Sequence, residues 1–338
     1  MRSLKLAGVY ALVALMFAAG VPNANADTKE WKLHIIWSET RPEAKQYMRF
    51  AELANEKANG EFKITVYPGA SLGIKDQDML RILPPGSAIQ IAGIYPGYMS
   101  RDAANAVNAL PPAVIATPAG VEALLPELSK VYDTMYAKWG VKRLGYIGHP
   151  VRDTFVFCKT PINKIDDLKS KKTRVWEKFY ADVFDELGVP AQVVSQRELY
   201  VAAQTGVIDC AVSAITAKDI SLQEVLPHFA YIAPYTLQPL QLVVSQKSFD
   251  ALSDKGKAAL TEAAAIVEKE SMENFVKGVL EGKLAAELVA QGAKKIDAFS
   301  DADQKKFTDA ARTVWKKSGA AKTDEGKIIY KAVIGEAN

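Results

Sequence analysis

The chain has 338 residues, of which 49% are hydrophobic and 24% are charged, enough apolar material for about two globular domains. Its 42 Lys and Arg residues against 39 Asp and Glu residues leave a net charge of +3. This small excess lacks the basic bias of nucleic-acid-binding proteins, and the two cysteines are too few for a disulfide framework.

The first 26 residues have the pattern of a secretory signal peptide. Arg2 and Lys5 precede an apolar run over Leu6–Ala19, and the small residues of Ala24–Ala26 follow. A basic start, a short apolar run and an Ala-x-Ala end are typical of a cleaved leader. A membrane anchor is the competing interpretation, but the run is shorter than the ~20 residues of a spanning helix. We therefore expect cleavage after Ala26 and export of the mature chain.

Predicted strands and helices alternate along the mature chain. In the first half we predict strands at Lys32–Ile36, Phe62–Tyr67, Ala88–Ile94 and Val141–Ile147, and helices at Glu43–Ala58, Gln77–Leu83 and Gly120–Trp139. After His149 the pattern restarts, with strands at Thr154–Cys158, Thr173–Trp176, Ala191–Val194 and Ile208–Ser213, and helices at Lys164–Leu168, Phe179–Leu187 and Glu198–Gln204. Alternation of this kind is typical of parallel sheets covered by helices. Because the pattern runs twice, we predict two α/β lobes.

A long helix is predicted over Asp254–Gln291. Apolar residues keep helical spacing from Leu260 to Leu288, and a helix of this length measures ~55 Å. Gly278 and Gly282 are positions at which it could bend. We expect this helix to lie along both lobes.

One enzyme-like pattern occurs at Gly69–Gly73, which fits the G-x-S-x-G motif around a nucleophilic serine, Ser71. His149 and His228 follow it, but neither lies in a recognisable triad context. Pro68 before the motif favours a surface turn. A secreted hydrolase that uses Ser71 is nevertheless kept as the alternative function.

The sequence patterns that would indicate a metal or cofactor site are weak or incomplete. His34, His149 and His228 are isolated, without the spacing of zinc ligands. Asp76 and Asp78 match the start of a calcium loop, but the following Gly and the closing Glu are missing. Since no G-x-G-x-x-G or Walker A motif is present either, we predict no cofactor and no metal.

Three ordered segments of the chain are similar to one family. Asp166–Val175 resembles the "DLKGLKIRV" segment of the substrate-binding proteins of TRAP transporters, the DctP-like family. Glu198–Asp209 is similar to its "ELYTALQTGVVDG" segment, and Tyr67–Gly73 to its "YPGGQLG". Their order and spacing agree, and the long late helix agrees as well. The resemblance covers almost the whole mature chain and accounts for the serine pattern.

This resemblance implies an α/β fold, the two-lobed clamshell of periplasmic binding proteins, with a long helix spanning both lobes. We expect lobe I at 27–149 and about 239–278, and lobe II at 150–238 and about 279–335. The implied function is that of a periplasmic, non-enzymatic receptor that captures an organic acid between its lobes and delivers it to TRAP permease subunits. We expect a monomer with no nucleic-acid partner. A ligand-binding subunit for a sensor kinase would have the same fold and cleft, and stays open.

Two arginines are implied as ligand contacts. Arg174 stands where the family's arginine makes a bidentate bond to a substrate carboxylate, for which the planar guanidinium fork is suited. A salt bridge between the lobes is the alternative role for this residue. Arg152 resembles a second cleft arginine at a hinge, with a surface arginine as its alternative.

The family's usual asparagine is absent. After Asp209 the family has Gly-Gln-Glu-Asn-Pro, whose Asn binds the carboxylate, whereas this chain has Cys210–Ala214. Ser213 can donate one hydrogen bond there. The Glu-Trp pair of metal-dependent family members is also missing, which disfavours a metal-bridged ligand.

Aromatic residues collect at the predicted edges of the cleft, beyond the carboxyl ends of the strands, where ligands bind in open α/β sheets. These candidates for the cleft walls are Trp37, Tyr95, Tyr98, Trp176 and Tyr235. Aromatic walls with few polar groups favour a monocarboxylate with an apolar or aromatic body.

Cys158 and Cys210 belong to two strands of the second lobe. Export permits a bridge, but paired residues of one sheet seldom have good disulfide geometry. We therefore expect two buried thiols.

Overall fold

A computed structural model describes residues 28–107, 109–115, 117–147, 153–234, 240–278, 280–319 and 322–334. The predicted leader, His149, Arg152 and Tyr235 lie outside these ranges, as do the predicted lobe boundaries at 149–150, 239 and 279. The division into lobes at those positions stays a prediction. Within the described ranges the chain forms two β-sheets with helices packed against them.

The first half of the chain contains the strands β1 (Lys29–His34), β2 (Phe62–Tyr67), β3 (Ile91–Ile94) and β4 (Val141–Ile147), and the helices α1 (Pro42–Lys57), α2 (Met79–Ile82), α3 (Ser100–Val107) and α4 (Pro118–Lys138). Then come the strands β5 (Asp153–Cys158), β6 (Thr173–Val175), β7 (Ala191–Val193), β8 (Cys210–Ser213) and β9 (His228–Pro234), and the helices α5 (Ile165–Leu168), α6 (Lys178–Glu186) and α7 (Leu199–Gln204). The last part contains β10 (Leu240–Ser245), α8 (Gln246–Asp250), α9 (Asp254–Lys277), α10 (Glu281–Ala290), β11 (Lys294–Lys295), α11 (Asp301–Lys317) and α12 (Asp324–Ile334). Short 3₁₀ helices lie at Asp76–Asp78, Pro96–Met99, Ile215–Ile220 and Leu222–Glu224.

The first sheet has the strand order β2-β1-β3-β10-β4. Strand β1 is parallel to β2 and β3, whereas β10 is antiparallel to β3 and β4. All six residues of β10 are buried, because its sheet neighbours and the flanking helices cover both of its faces.

The second sheet has the order β11-β9-β5-β8-β6-β7. Strand β6 is parallel to β7 and β8, while β5 is antiparallel to β8 and β9. The two-lobed α/β prediction is confirmed, but the sheets are mixed rather than parallel. The antiparallel strands are the two that the chain enters on changing sheet: β5 follows β4 of the first sheet, and β10 follows β9 of the second, so neither continues a strand–helix–strand unit of its own sheet.

The predicted single helix over Asp254–Gln291 is wrong in one respect, since it is two helices. Helix α9 ends at Lys277, and Gly278 has a left-handed conformation with φ of 63°. The N–H of Gly278 donates to the carbonyl of Asn274 and closes the last turn. Helix α9 packs on α1, α4 and β4 beside the first sheet, whereas α10 packs on the 3₁₀ helix Ile215–Ile220 beside the second. The glycine ends the helix where the chain changes sheet.

The expectation of two free thiols is also wrong. Cys158 and Cys210 are directly opposite each other on β5 and β8, their Cα atoms are 4.2 Å apart, and their sulfurs are bonded. Opposed residues of an antiparallel pair alternate between wide and narrow Cα spacing, and the narrow positions bring the side chains close. This bond joins two neighbouring strands in the middle of the second sheet.

No helix in the described ranges combines the length and hydrophobicity needed to cross a bilayer.

Candidate functional site

Loops that follow the strands of the two sheets meet at one cavity of about 50 Å³. Trp37 follows β1, Tyr95 follows β3, Trp176 follows β6, and Ser213 ends β8. The complete lining comprises Ile36, Trp37, Arg41, Glu43, Tyr95, Tyr98, Arg174, Trp176, Gln196, Ser213 and Ala214. The structure thus brings together Arg174, Ser213 and four of the predicted aromatic residues; Arg152 and Tyr235 lie outside the described residues.

Arg174 is fully buried in β6, between β7 and β8. Its Nε donates to the carbonyl oxygen of Val194 at 2.8 Å, and its Nη1 donates to that of Val212 at 3.1 Å. These two bonds fix the orientation of the guanidinium in the wall of the cavity. An oriented, dehydrated guanidinium facing a cavity is suited to binding a carboxylate by two parallel hydrogen bonds.

A second arginine, Arg41, lies across the cavity and was missed from the sequence. Its guanidinium pairs with the buried carboxylate of Glu43, with Nε donating to Oε2 at 3.1 Å. Its Nη2 also donates to Oγ1 of Thr216 at 2.6 Å. Arg41 precedes α1 beside the first sheet, and Thr216 follows β8 of the second. The bond therefore joins the two halves of the site.

Glu177, next to Trp176, makes a comparable connection. The hydroxyl of Tyr95 donates to its Oε1 at 2.8 Å, and both side chains are buried. Burial raises the pKa of Glu177 to about 7, although hydrogen bonds from Tyr95 and Trp176 act in the opposite direction. Glu177 was also missed, because a carboxylate in a sequence gives no sign of its burial.

The aromatic residues are held by packing. Trp37 stacks on Tyr47 with ring centroids 5.6 Å apart, and Trp176 packs on Tyr180 at 4.3 Å. Tyr95 and Tyr98 meet edge to face at 5.3 Å. Trp37 and Trp176 are thus held by buried rings, while Tyr95 and Tyr98 support each other in the wall of the cavity.

A larger pocket of about 530 Å³ adjoins this cavity. The two share Ile36, Tyr98, Trp176 and Gln196 as lining residues. The remaining walls come from the loop between β2 and α2 on one side and from residues 193–198 after β7 on the other. We call the small space the inner cavity and the large one the outer pocket.

Among the residues that the structure describes, the sequence candidates for an enzyme or metal site do not lie at the inner cavity. Ser71 is exposed, and of the described histidines His34 pairs with Asp76 while His228 contacts the carbonyl of Lys159. Within the described residues no group of three or more His, Cys, Asp and Glu side chains could hold a metal ion.

The geometry is that of a binding cleft, and a match to a protein family identifies the class of protein that carries it. Residues 33–322 match the family described as bacterial extracellular solute-binding protein, family 7, or DctP. The chain belongs to this family. The resemblance to the binding proteins of TRAP transporters is thereby confirmed.

Relatives agree over most of the family 7 domain. A solute-binding protein of Sulfitobacter sp. (strain NAS-14.1) is 26% identical over 278 residues, which cover 80% of this chain and 81% of that protein. A TRAP solute-binding protein from a marine metagenome, solved with co-purified pyroglutamate, has a TM-score of 0.79 at 20% identity and covers 91% of this chain and 99% of its own. A TRAP periplasmic solute-binding protein of Sulfitobacter sp. NAS-14.1, solved with β-D-galacturonate, has a TM-score of 0.78 at 22% identity, with 91% and 100% covered.

Proposed function

We propose that this family 7 protein is the receptor of a TRAP transporter that captures an organic monocarboxylate between its two sheets and delivers it to the membrane permease. The observation that carries the proposal is Arg174, a fully buried guanidinium oriented by two backbone carbonyls at a cavity between strand ends. A planar guanidinium held at a cavity in this way matches both oxygens of a ligand carboxylate and stays charged when buried.

The other predicted residues take roles around this anchor. Ser213 lies at the end of β8 in the same lining and supplies one hydrogen bond to the ligand. Trp176, Trp37 and Tyr95 form the walls against which the body of the ligand packs. Arg152 and Tyr235 remain candidates from the sequence for a second bond to the carboxylate and for a further wall.

The aromatic walls support a ligand with an apolar or aromatic body and one carboxylate. The structural neighbours described above were solved with pyroglutamate and with a uronate, both of which carry a carboxylate. Their ligands support the chemical class, an organic acid, and leave its body to be determined for this chain.

Closure of the two halves on the ligand is the proposed mechanism. The ligand binds residues from both sheets and thereby shifts the population towards the closed form that the permease recognises. We further propose that the leader is cleaved after Ala26, and that the mature protein acts in the periplasm as a monomer without a nucleic-acid partner.

A thermal-shift screen over organic acids tests this function. Saturating ligand stabilises the folded state by a few kcal/mol, so at least one aromatic or branched monocarboxylate should raise the melting temperature by several degrees. Neutral sugars and amines serve as controls and should leave it unchanged. A shift with none of the acids, or an equal shift with the sugars and amines, would contradict the proposal.

A further inference from the structure

Glu177 lies at the start of α6, and its carboxylate points to the other half of the site. Its side chain makes no capping bond to the helix that it precedes. Instead its Oε1 accepts from the hydroxyl of Tyr95, which follows β3 of the first sheet, at 2.8 Å. Gly97 leaves room for Oε2, since a Cβ atom there would collide with that oxygen. The carboxylate is therefore enclosed by residues of both halves.

The groups that face Glu177 are neutral at ordinary pH. Tyr95 and the indole N–H of Trp176 donate hydrogen bonds to it. Three further tyrosines feel its charge, and burial raises the pKa of each: Tyr98, Tyr132 and Tyr180. They belong to the 3₁₀ helix Pro96–Met99, to α4 and to α6. These phenols do not ionise near neutral pH, so they change no charge there.

No cation among the described residues compensates the charge of Glu177. None of their Lys, Arg or His side chains forms an ion pair with it. Three charged groups act on Tyr98 rather than on Glu177: Arg174, Arg41 and Asp76. Arg152, which the sequence places at a hinge, lies outside the described residues. In this part of the chain, ionised Glu177 is thus stabilised by two neutral donors alone.

Burial links the charge of Glu177 to the separation of the two halves. In this arrangement burial raises its pKa to about 7, and the bonds from Tyr95 and Trp176 oppose only part of the rise. Separation of the halves removes the cover that Tyr95, Tyr98 and Tyr132 supply, and the pKa then returns towards its ordinary value of 4.5. A proton on Glu177 therefore favours the assembled site. This contribution is complete below pH 4.5 and is lost as the pH rises through about 7.

We propose that Glu177 is a pH-sensitive contact between the two halves: as a neutral acid it stays buried against Tyr95 and holds them together, and on ionisation it turns towards water and the halves separate. One proton leaves the carboxyl group for the solvent as the cleft opens and returns as it closes. Because the ligand is proposed to bind residues of both halves, its affinity falls as the pH rises past neutral. That consequence rests on the proposed function, whereas the change in separation does not.

Two measurements on the wild type and on Glu177→Gln test the inference. Small-angle X-ray scattering of the unliganded protein, from pH 5.5 to pH 8.5, reports the separation of the halves. Calorimetry with pyroglutamate and with 3-phenylpropionate over the same range reports the affinity. In the wild type we expect the radius of gyration to increase as the pH passes 7, and the affinity to fall by about tenfold or more. Glutamine keeps the size of the side chain and cannot ionise, so neither quantity should depend on pH in Glu177→Gln.

Glu268→Gln is the matched control. Burial also raises the pKa of Glu268, but this side chain accepts from the backbone N–H of Tyr146 at 3.1 Å, and both residues belong to the first half. The control should retain the pH response of the wild type. Tyr95→Phe removes a donor that favours the ionised carboxylate, so the midpoint of its response should move to higher pH.

A wild-type radius of gyration that does not change with pH would overturn the inference. So would a pH response that Glu177→Gln retains or that Glu268→Gln loses. The failure of the proposed function is different, because then no acid binds at any pH while the scattering of the unliganded protein still changes. If Glu177→Gln does not fold, Tyr95→Phe decides, and a midpoint that stays unchanged or moves to lower pH would overturn the inference.

Discussion

The charge of the Glu177 side chain depends strongly on its surroundings in the site. It is buried among Tyr95, Trp176 and the backbone of Gly97, where a carboxylate loses its hydration. Its pKa is raised from 4.5 to about 7 by burial. The unfolded chain therefore ionises Glu177 at a lower pH than the folded chain does.

The first prediction concerns the stability of the Glu177→Gln variant. With the folded pKa above the unfolded one, the contribution of Glu177 is fully present below pH 4.5 and is lost as the pH rises to about 7. The loss amounts to at most ~3 kcal/mol. Urea unfolding of the wild type and of Glu177→Gln, at pH 4.5 and at pH 8, should show a larger fall in the wild type. Parallel pH profiles for the two proteins would contradict the assignment.

A second prediction concerns the contribution of Trp176 to ligand affinity. If the body of the ligand packs against this ring, Trp176→Ala should weaken the binding of aromatic acids by tenfold or more and that of short aliphatic acids by less. Calorimetry on both kinds of acid measures the difference. Trp31→Phe, a change in the core outside both spaces, is the control. An equal loss for both kinds of acid in Trp176→Ala would show that the ring has only a structural role.

That Arg174 and four aromatic residues line one cavity could be predicted from the sequence, because Arg174 lies in a recognisable motif and the rings lie at or just after the ends of predicted strands. Arg41, Glu177 and Asp76 could not. Their roles depend on contacts between distant parts of the chain, such as Arg41 with Thr216, 175 residues apart. The sequence shows that each of these residues is ionisable, but the burial and the partner of each side chain depend on the fold.

The disulfide joins two central strands of the second sheet. It links Cys158 of β5 to Cys210 of β8 and closes a loop with a sequence separation of 52 residues. A cross-link of this length restricts the unfolded chain and contributes about 4 kcal/mol in the chain-entropy account. Strand β5 is therefore held to β8 by a covalent bond as well as by hydrogen bonds.

The prediction that follows uses reduction and replacement together. Dithiothreitol should lower the free energy of unfolding of the wild type by about 4 kcal/mol. The Cys158→Ala/Cys210→Ala double variant should be destabilised without the reagent and should not respond to it. Urea titrations measure both effects, and thiol titration of the denatured, unreduced wild type should find no free thiol. Two free thiols, or a wild type insensitive to the reagent, would contradict the bond.

Element boundaries were predictable where hydrophobic periodicity is clear, as in β4, whose predicted and observed bounds coincide. Strands β9 and β10 were missed, because β10 is buried on both faces and lacks alternation. The break at Gly278 was marked only as a possible bend, since apolar periodicity continues on both sides of it. The conformation of one glycine decided between one helix and two.

Two buried polar contacts hold the two halves of the site together. Tyr95 with Glu177, and Arg41 with Thr216, each join a loop of the first sheet to one of the second. Both lie beside the inner cavity, so they exist only when the halves are close. These contacts stabilise the arrangement in which the two halves of the site are close together.

We predict that Thr216→Val speeds ligand release. Valine keeps the shape of threonine but removes the hydroxyl that accepts from Arg41, and a hydrogen bond contributes ~0.5–1.5 kcal/mol. The dissociation rate should rise by roughly three- to tenfold in stopped-flow tryptophan fluorescence. Thr261→Val on the exposed face of α9 is the matched control and should leave the rate unchanged. Equal rates in wild type and Thr216→Val would argue against a role of this contact in closure.

The most direct test of the account is the affinity of Arg174→Ala for the acid that gives the largest thermal shift. Charged hydrogen bonds contribute ~1.5–3 kcal/mol, so calorimetry should show a loss of at least tenfold. Arg174→Lys should not restore binding, because an ammonium group lacks the planar fork. Arg81→Ala, at an exposed ion pair with Asp102, should bind like the wild type. Unchanged affinity in a folded Arg174→Ala variant would contradict the claim that this arginine holds the ligand carboxylate.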